Sequence, residues 1–353
     1  MAYKILYFED KESGSIKADL ENLGFEVDIE TCEDTRNSIN ILKANHHDAY
    51  LMDYRLTDGN GLVDAPALAG IIRTESGRNE FKINAPVFMI TDESGLKIVN
   101  SAQREQDLFD YVMTKDLFRK NKQKIGELIV SFIKAYLRVQ KCGSEVLSIF
   151  GIEKEEISLL DYRFERDLMS KYGDVFGITH FVLNYLVRTI GALIGPDILA
   201  ARLGVKKDPE QRAWGELMRI LEPCRYEGIF KESYPRWWMR KIEDWWEREF
   251  IGMERLRKLE AEQRVELLNQ KFGLDLRVAK PLTEEYSTKF WTMCFAKQIP
   301  LDPLDGFVID DVTRREWEEP MYISLDGALD KPEWQKRLSP ADVREILAYG
   351  TKN

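Results

Sequence analysis

The sequence predicts a doubly wound α/β domain with a five-stranded parallel sheet, followed by a mainly helical domain. Three observations lead there. Short apolar runs alternate with helical patterns five times in the first 140 residues, a succession that implies parallel strands joined by right-handed crossovers. Polar residues stand directly after several of those runs. Beyond Lys141–Ser144 (KCGS), which interrupts the last of these helices, helical periodicity takes over.

Taken in order, Lys4 to Phe8 (KILYF) reads as a buried strand and Ile16 to Leu23 as an amphipathic helix stopped by Gly24. Phe25 to Ile29 is a second strand, Thr35 to Ala44 a helix, and Ala49 to Met52 a third strand. Leu62 to Glu75 is helical, with Pro66 near its first turn. Pro86 to Ile90 is a fourth strand, Leu96 to Gln106 a helix, and Leu108 to Met113 a fifth strand. A last helix runs from Lys120 to Val139, so the first domain is expected over residues 1–140 and the second over 145–353.

Composition bounds the function. At roughly 150 residues per domain, 353 residues suit two domains. With 44% hydrophobic and 32% charged residues, the chain is neither a disordered tail nor a membrane protein. The apolar region near Phe181 to Gly195 is broken by Asn184 and Arg188, and the opening apolar run is too short for a secretion signal. Residues 1–140 hold 18 basic against 23 acidic residues and the rest 33 against 38, giving the net charge of −10. Neither part carries the basic surplus of a polybasic nucleic-acid binder. The four cysteines form no CxxC pair and there are only three histidines, which argues against a zinc site and for reduced thiols. The expectation is a cytoplasmic protein.

In a doubly wound sheet the reactive crevice lies beyond the carboxyl ends of the strands. The residues there are Glu9 and Asp10 after the first strand, Asp53 after the third, Thr91 after the fourth and Lys115 after the fifth. Three converging carboxylates repel one another unless a cation sits among them. Mg²⁺, a hard ion with oxygen ligands, suits such a site when it also receives a phosphoryl group.

These residues, with the loop LMDYRLTDGNGL and the stretches MITDES and VMTKD, resemble the receiver domain of two-component response regulators, a flavodoxin-like fold. The spacing from Asp53 to Leu56, Asp58 and Gly61 is the most specific part. The resemblance covers residues 3 to about 139. It implies that Asp53 accepts phosphate from a histidine kinase or phosphotransfer protein. Glu9, Asp10, Asp53 and the Arg55 carbonyl would hold Mg²⁺, while Thr91 and Lys115 respond to the phosphoryl group. The chain departs from the family at Asp116, where proline is usual, and at Asp92, where a small residue is usual. Val112 stands where the family has its switch aromatic, with Tyr111 one step earlier, and Thr57 replaces a frequent proline. Phosphate capture stays within these changes, whereas they alter the threonine–aromatic switch.

The second part has no recognised family. Helices are expected at Glu155–Tyr172, Ile178–Leu193, Pro196–Leu203, Pro209–Leu221, Arg236–Phe250, Met253–Phe272, Glu284–Ala296 and Pro340–Tyr349. Leu301 to Leu329 reads as loop with a short strand at Met321–Ser324. Leu199 to Asp208 has helix-turn-helix spacing, but the following helix carries glutamates and an apolar stripe of Trp214, Leu217 and Leu221, which favours an ordinary helical hairpin over a DNA reader. Trp238, Ile242, Trp245, Met253 and Leu256 form a stripe suited to a core, while Trp237 with Arg236 and Arg240 forms a candidate contact patch. The carboxylates Asp302, Asp305, Asp310 and Asp311 lack EF-hand spacing and read as a solvated loop, and His180 as a structural histidine.

The expected function is that of a phospho-accepting signalling protein whose helical module makes protein–protein or self contacts. No enzymatic activity is expected beyond the receiver's own phosphoryl chemistry. Three alternatives are a transcription factor reading DNA through residues 196–222, a phosphate sink competing with another receiver, and an enzyme whose site assembles from residues distant in sequence.

Overall fold

The computed structural model describes residues 2–9, 14–31, 35–44, 46–54, 56, 64–77, 84–92, 107–143 and 145–350. The chain divides into two compact units. One comprises Met1–Gly151, Leu168–Phe181 and Gly228–Ser233, and the other Ile152–Asp167, Val182–Glu227 and Tyr234–Asn353.

The first unit is built on five parallel strands, β1 (Lys4–Phe8), β2 (Glu26–Glu30), β3 (Ala49–Asp53), β4 (Val87–Thr91) and β5 (Tyr111–Thr114), in the order β2-β1-β3-β4-β5. That order is a doubly wound arrangement with its switch point between β1 and β3. The helices are α1 (Gly14–Asn22), α2 (Thr35–Ala44), α3 (Ala65–Gly77), α4 (Lys115–Lys120) and α5 (Lys122–Cys142). All five residues of β3 and of β4 are buried, which is why these segments are continuous apolar runs, whereas edge strand β2 alternates. One face of the sheet packs Leu6, Phe8, Met52 and Met89 against Leu42, Leu68 and Ile72. On the other face Phe88 meets Phe132 of α5 edge-on at 5.4 Å, and Phe132 meets Phe230 at 5.0 Å. Burying apolar area of this kind contributes about 25 cal/mol per Å² and outweighs the weak intrinsic preference of short strands.

At the amino-terminal edge of β4 and β5, Asp110 is almost fully buried. Its carboxylate accepts from the Val87 amide at 2.8 Å, the Tyr136 hydroxyl at 2.7 Å and Arg73 Nη2 at 3.0 Å. The Arg73 guanidinium also lies 3.6 Å over the Phe176 ring. A carboxylate with three donors can be buried at little net cost.

The element boundaries of this unit fall within a few residues of expectation. The expected fifth strand begins later, at Tyr111, and a separate short helix precedes the long one. The helix expected over Leu96–Gln106 lies outside the described residues.

The second unit is mainly helical. Its core gathers Trp214, Leu217, Ile242 and Leu268 with Trp246, tilted against Phe250 (4.2 Å), and Trp245, stacked on Phe272 (5.8 Å). Helices at Pro196–Leu203, Arg212–Ile220, Met239–Glu249 and Pro340–Gly350 follow the periodic segments, whereas the helix expected over Met253–Phe272 is confined to Ala261–Phe272, after a 3₁₀ turn at Leu256–Lys258. Among the described residues three two-stranded ribbons join them: Leu193–Ile194 with Trp237–Trp238, Thr292–Met293 with Pro300–Leu301, and Gly306–Ile309 with Met321–Ser324.

Several expectations need correction here. Glu155–Tyr172 is no single helix: a 3₁₀ turn at Lys154–Leu159 precedes a helix at Tyr162–Met169, and the Asp161 carboxylate takes the Arg163 amide and guanidinium at the break. Ile178–Leu193 divides into Val175–Val182, a π-turn at Leu183–Val187 and a strand. Glu284–Ala296 is not helical, because its backbone bonds across to the neighbouring strand, Trp291 N to Leu301 O and Cys294 N to Ile299 O. Met253 is 59% exposed and leaves the apolar stripe. Trp237 is buried in a strand rather than offered on a helix surface, so the contact patch with Arg236 and Arg240 does not form. Arg236 Nε donates to the Val187 carbonyl, and Arg240 pairs with Asp244. Asp302 is buried as a cap, accepting from Leu304 N and Ser287 Oγ, because a 3₁₀ turn starts after it. After Leu203 the chain turns through Gly204 and bridges Val205 to Val278, so the expected hairpin is interrupted by extended backbone.

Candidate functional site

Register builds the site. β1 and β3 align Phe8 with Met52, which leaves Glu9 level with Asp53, the last residue of β3. β3 and β4 align Asp53 with Ile90, and β4 and β5 align Thr91 with Thr114, directly before Lys115. Glu9, Asp53, Thr91 and Lys115 therefore leave four adjacent strands at the same edge.

The side chains of three of them meet. Lys115 Nζ lies 2.5 Å from Asp53 Oδ2 and 3.5 Å from Glu9 Oε1. The other Asp53 oxygen accepts from the Tyr54 amide at 2.7 Å. Glu9 and Thr91 are 2% exposed and Asp53 8%, so the carboxylates sit in a largely dry edge. Burial is the chief reason that the Asp53 carboxyl is held above its ordinary range, with Glu9 adding to it and Lys115 opposing. Burial alone would lower the Lys115 ammonium, but Asp53 and Glu9 outweigh it and raise it. Thr91 stands buried at the end of β4, the strand beside Asp53. Asp10 and Arg55 lie outside the described residues, as does the loop carrying Thr57, Asp58 and Gly61.

Lys115 is placed by a cap that sequence reading overlooked. Thr114 Oγ1 accepts from the Leu117 amide at 3.0 Å, so α4 begins at Lys115 and Asp116 falls in its first turn, where the helix dipole favours an acid. The signal was present as Thr followed by Lys-Asp. The departure expected at Asp116 thus takes the form of a helix that begins at Lys115. Asp92 is exposed, and Val112 is half-buried against the cluster beneath α2 and α3.

Two buried carboxylates facing one ammonium leave an oxygen-rich site with an excess of negative charge, of the sort a small divalent cation completes. Glu9 and Asp53 fit that donor set. Among the described residues no group of three or more potential ligands is assembled.

No family model matches the sequence. No curated protein matches it either. Similar solved structures do exist, each below 25% identity to this chain. The receiver domain of a sensor histidine kinase from Pseudomonas aeruginosa, with a magnesium ion in its active-site cleft, is 22% identical and matches 37% of this chain and 98% of its own, at a TM-score of 0.29. A response regulator of Thermotoga maritima in complex with Mg²⁺-BeF is 20% identical over 36% of this chain and 99% of its own, at 0.28. A structure described as adenylate cyclase from Rhodopirellula baltica is 20% identical over 42% of this chain and 98% of its own, at 0.31. The fold itself is fixed by the strand order and register described above.

Proposed function

We propose that the first unit is a receiver-type phospho-acceptor and that Asp53 is the acceptor. The observation that carries this is the Lys115 ammonium held between two buried carboxylates at the carboxyl edge of a parallel sheet, beside its switch point. An oxygen of Asp53 bonds to the phosphorus of a phosphohistidine, the P–N bond breaks, and the imidazole leaves with the electron pair and takes up a proton. Lys115, already on Asp53, turns to the new phosphoryl oxygens, and the Thr91 hydroxyl donates to one of them. Glu9 and Asp53 would hold Mg²⁺ together with Asp10 and the Arg55 carbonyl. Bound there, such an ion would supply charge neutralisation for the transferring phosphoryl group. The donor is a histidine kinase or phosphotransfer protein, the setting is the cytoplasm, and the output is a change in the protein contacts of the second unit.

The half-buried Val112 at the switch position favours a second reading. With no aromatic ring there to exchange places, the unit would act as a phosphate sink.

Incubation with Mg²⁺ and a small phosphodonor, with mass and oligomeric state followed together, tests both. A single labile phosphate on the wild type and none on Asp53→Asn supports the acceptor reading, and phosphate that persists on the variant removes it. A change of assembly on phosphorylation removes the sink.

A further inference from the structure

A cavity of about 830 Å³ opens within the second unit, between the helix Pro196–Leu203, the Val205–Val278 bridge and the ribbon ending at Pro300. That volume lies in the range of small-molecule sites, roughly 300–1,000 Å³. Its floor is small and aliphatic, formed by Ala201, Val205, Val278, Ala279 and Met293. Its rim is cationic. Lys206, Lys207, Arg277 and Lys280 surround it, against the single carboxylate of Asp197.

Lys207 is paired with Asp197. Lys206, Arg277 and Lys280 form no salt bridge with any described residue, and all three are exposed. Three unbalanced cations thus converge on one apolar hollow in a chain whose net charge is −10. Lysines and arginines scattered on a solvated surface would usually be interspersed with acids, as they are elsewhere on this unit at Arg212–Glu216 and Arg240–Asp244.

The walls are tied together from beneath. Arg264 is fully buried, and its Nη1 donates to the carbonyls of Arg202 and Phe290 at 2.8 and 2.9 Å. Arg202, also fully buried, donates from Nε to the Trp291 carbonyl and from Nη2 to Glu319. The helix carrying Ala201 is thereby pinned to the strand carrying Met293. Among the described residues Arg264 Nε and Nη2 have no hydrogen-bond partner, while the Glu260 and Asp302 carboxylates offset part of its charge. Gly204, at φ +72°, lets the chain pass against Ala261 and brings Val205 into the pocket wall.

We infer that this cavity binds a small organic anion, with an apolar body against the aliphatic floor and a phosphate, carboxylate or sulfonate end toward Lys206, Arg277 and Lys280. The pinned walls pre-form the hollow, and the unpaired rim supplies the charge complement. Nucleotides and acyl anions share this chemistry. The inference is independent of the receiver reading, since it uses residues of the second unit alone.

The full-length chain is titrated with the fluorescent probe anilinonaphthalene sulfonate, at low and at high salt. Competition with ADP, dodecanoate and inorganic pyrophosphate follows. One saturable site per chain is expected, weakened by salt and displaced by ADP or dodecanoate according to which body fits. Pyrophosphate, lacking a body, displaces poorly. The Arg277→Glu/Lys280→Glu chain should bind the probe at least about tenfold more weakly, the loss of a charge-assisted contact or more. Both side chains are exposed, so its urea midpoint should match the wild type and separates lost binding from lost folding. Equal probe affinity in the folded double variant, or failure of both organic anions to compete, overturns the proposal.

Discussion

Lys115 Nζ is 2.5 Å from Asp53 Oδ2 and 3.5 Å from Glu9 Oε1, so a single ammonium joins the ends of β1, β3 and β5. Replacing it with an uncharged side chain leaves two buried acids facing each other. Lys115→Met should cost about 1–3 kcal/mol in urea unfolding of the chain. Asp53→Asn in the same background should return part of that loss. A double-mutant cycle should show a coupling of at least about 0.5 kcal/mol, and strict additivity would mean that the pair is not energetically joined.

Asp110 receives three donors at the other edge of the sheet, from Val87, Tyr136 and Arg73. Asp110→Ala leaves a guanidinium and a hydroxyl without their acceptor in a dry place, and should destabilise by about 3 kcal/mol. Burial, with the Asp110 charge, holds the Tyr136 hydroxyl well above its ordinary range. Tyr136 should therefore stay protonated in alkaline ultraviolet titration until the chain unfolds.

Gly204 combines φ +72° with a built Cβ 2.6 Å from Ala261 Cα. An alanine there meets both a disfavoured backbone and a backbone neighbour that cannot swing aside. Gly204→Ala should cost about 3 kcal/mol and lower the denaturant midpoint accordingly.

Cys224 is buried beneath the helix Met239–Glu249, and burial pushes its thiol from 9.0 to about 11. The unfolded chain ionises first, so stability should be unaffected below pH 8 and fall as pH rises between these two values. The loss should approach about 2 kcal/mol. Cys224→Ala should flatten that alkaline fall when stability is followed against pH. The native thiol should also resist a thiol reagent at neutral pH, and rapid labelling of Cys224 in the folded chain would contradict its placement.

The sheet was legible from residues alone because β3 and β4 are buried on both faces, which forces uninterrupted apolar runs that no other element explains as well. Glu9, Asp53, Thr91 and Lys115 were legible for the same reason: each is the polar residue that ends or follows such a run. In the second unit, local pattern failed wherever partners far along the chain decided the backbone. Trp237 reads as part of a helix, but pairs with Ile194 as a strand, and Glu284–Ala296 gives way to a ribbon closed by Leu301. Propensity differences of less than about 1 kcal/mol per residue are readily overridden by such pairing and burial. The sequence by itself therefore determined which residues end the strands and what chemistry they bring. Only the tertiary structure decided that one ammonium sits between two of the acids, that Thr114 caps the helix carrying it, and that three unpaired cations ring one cavity, because each depends on distances between segments that no local pattern encodes.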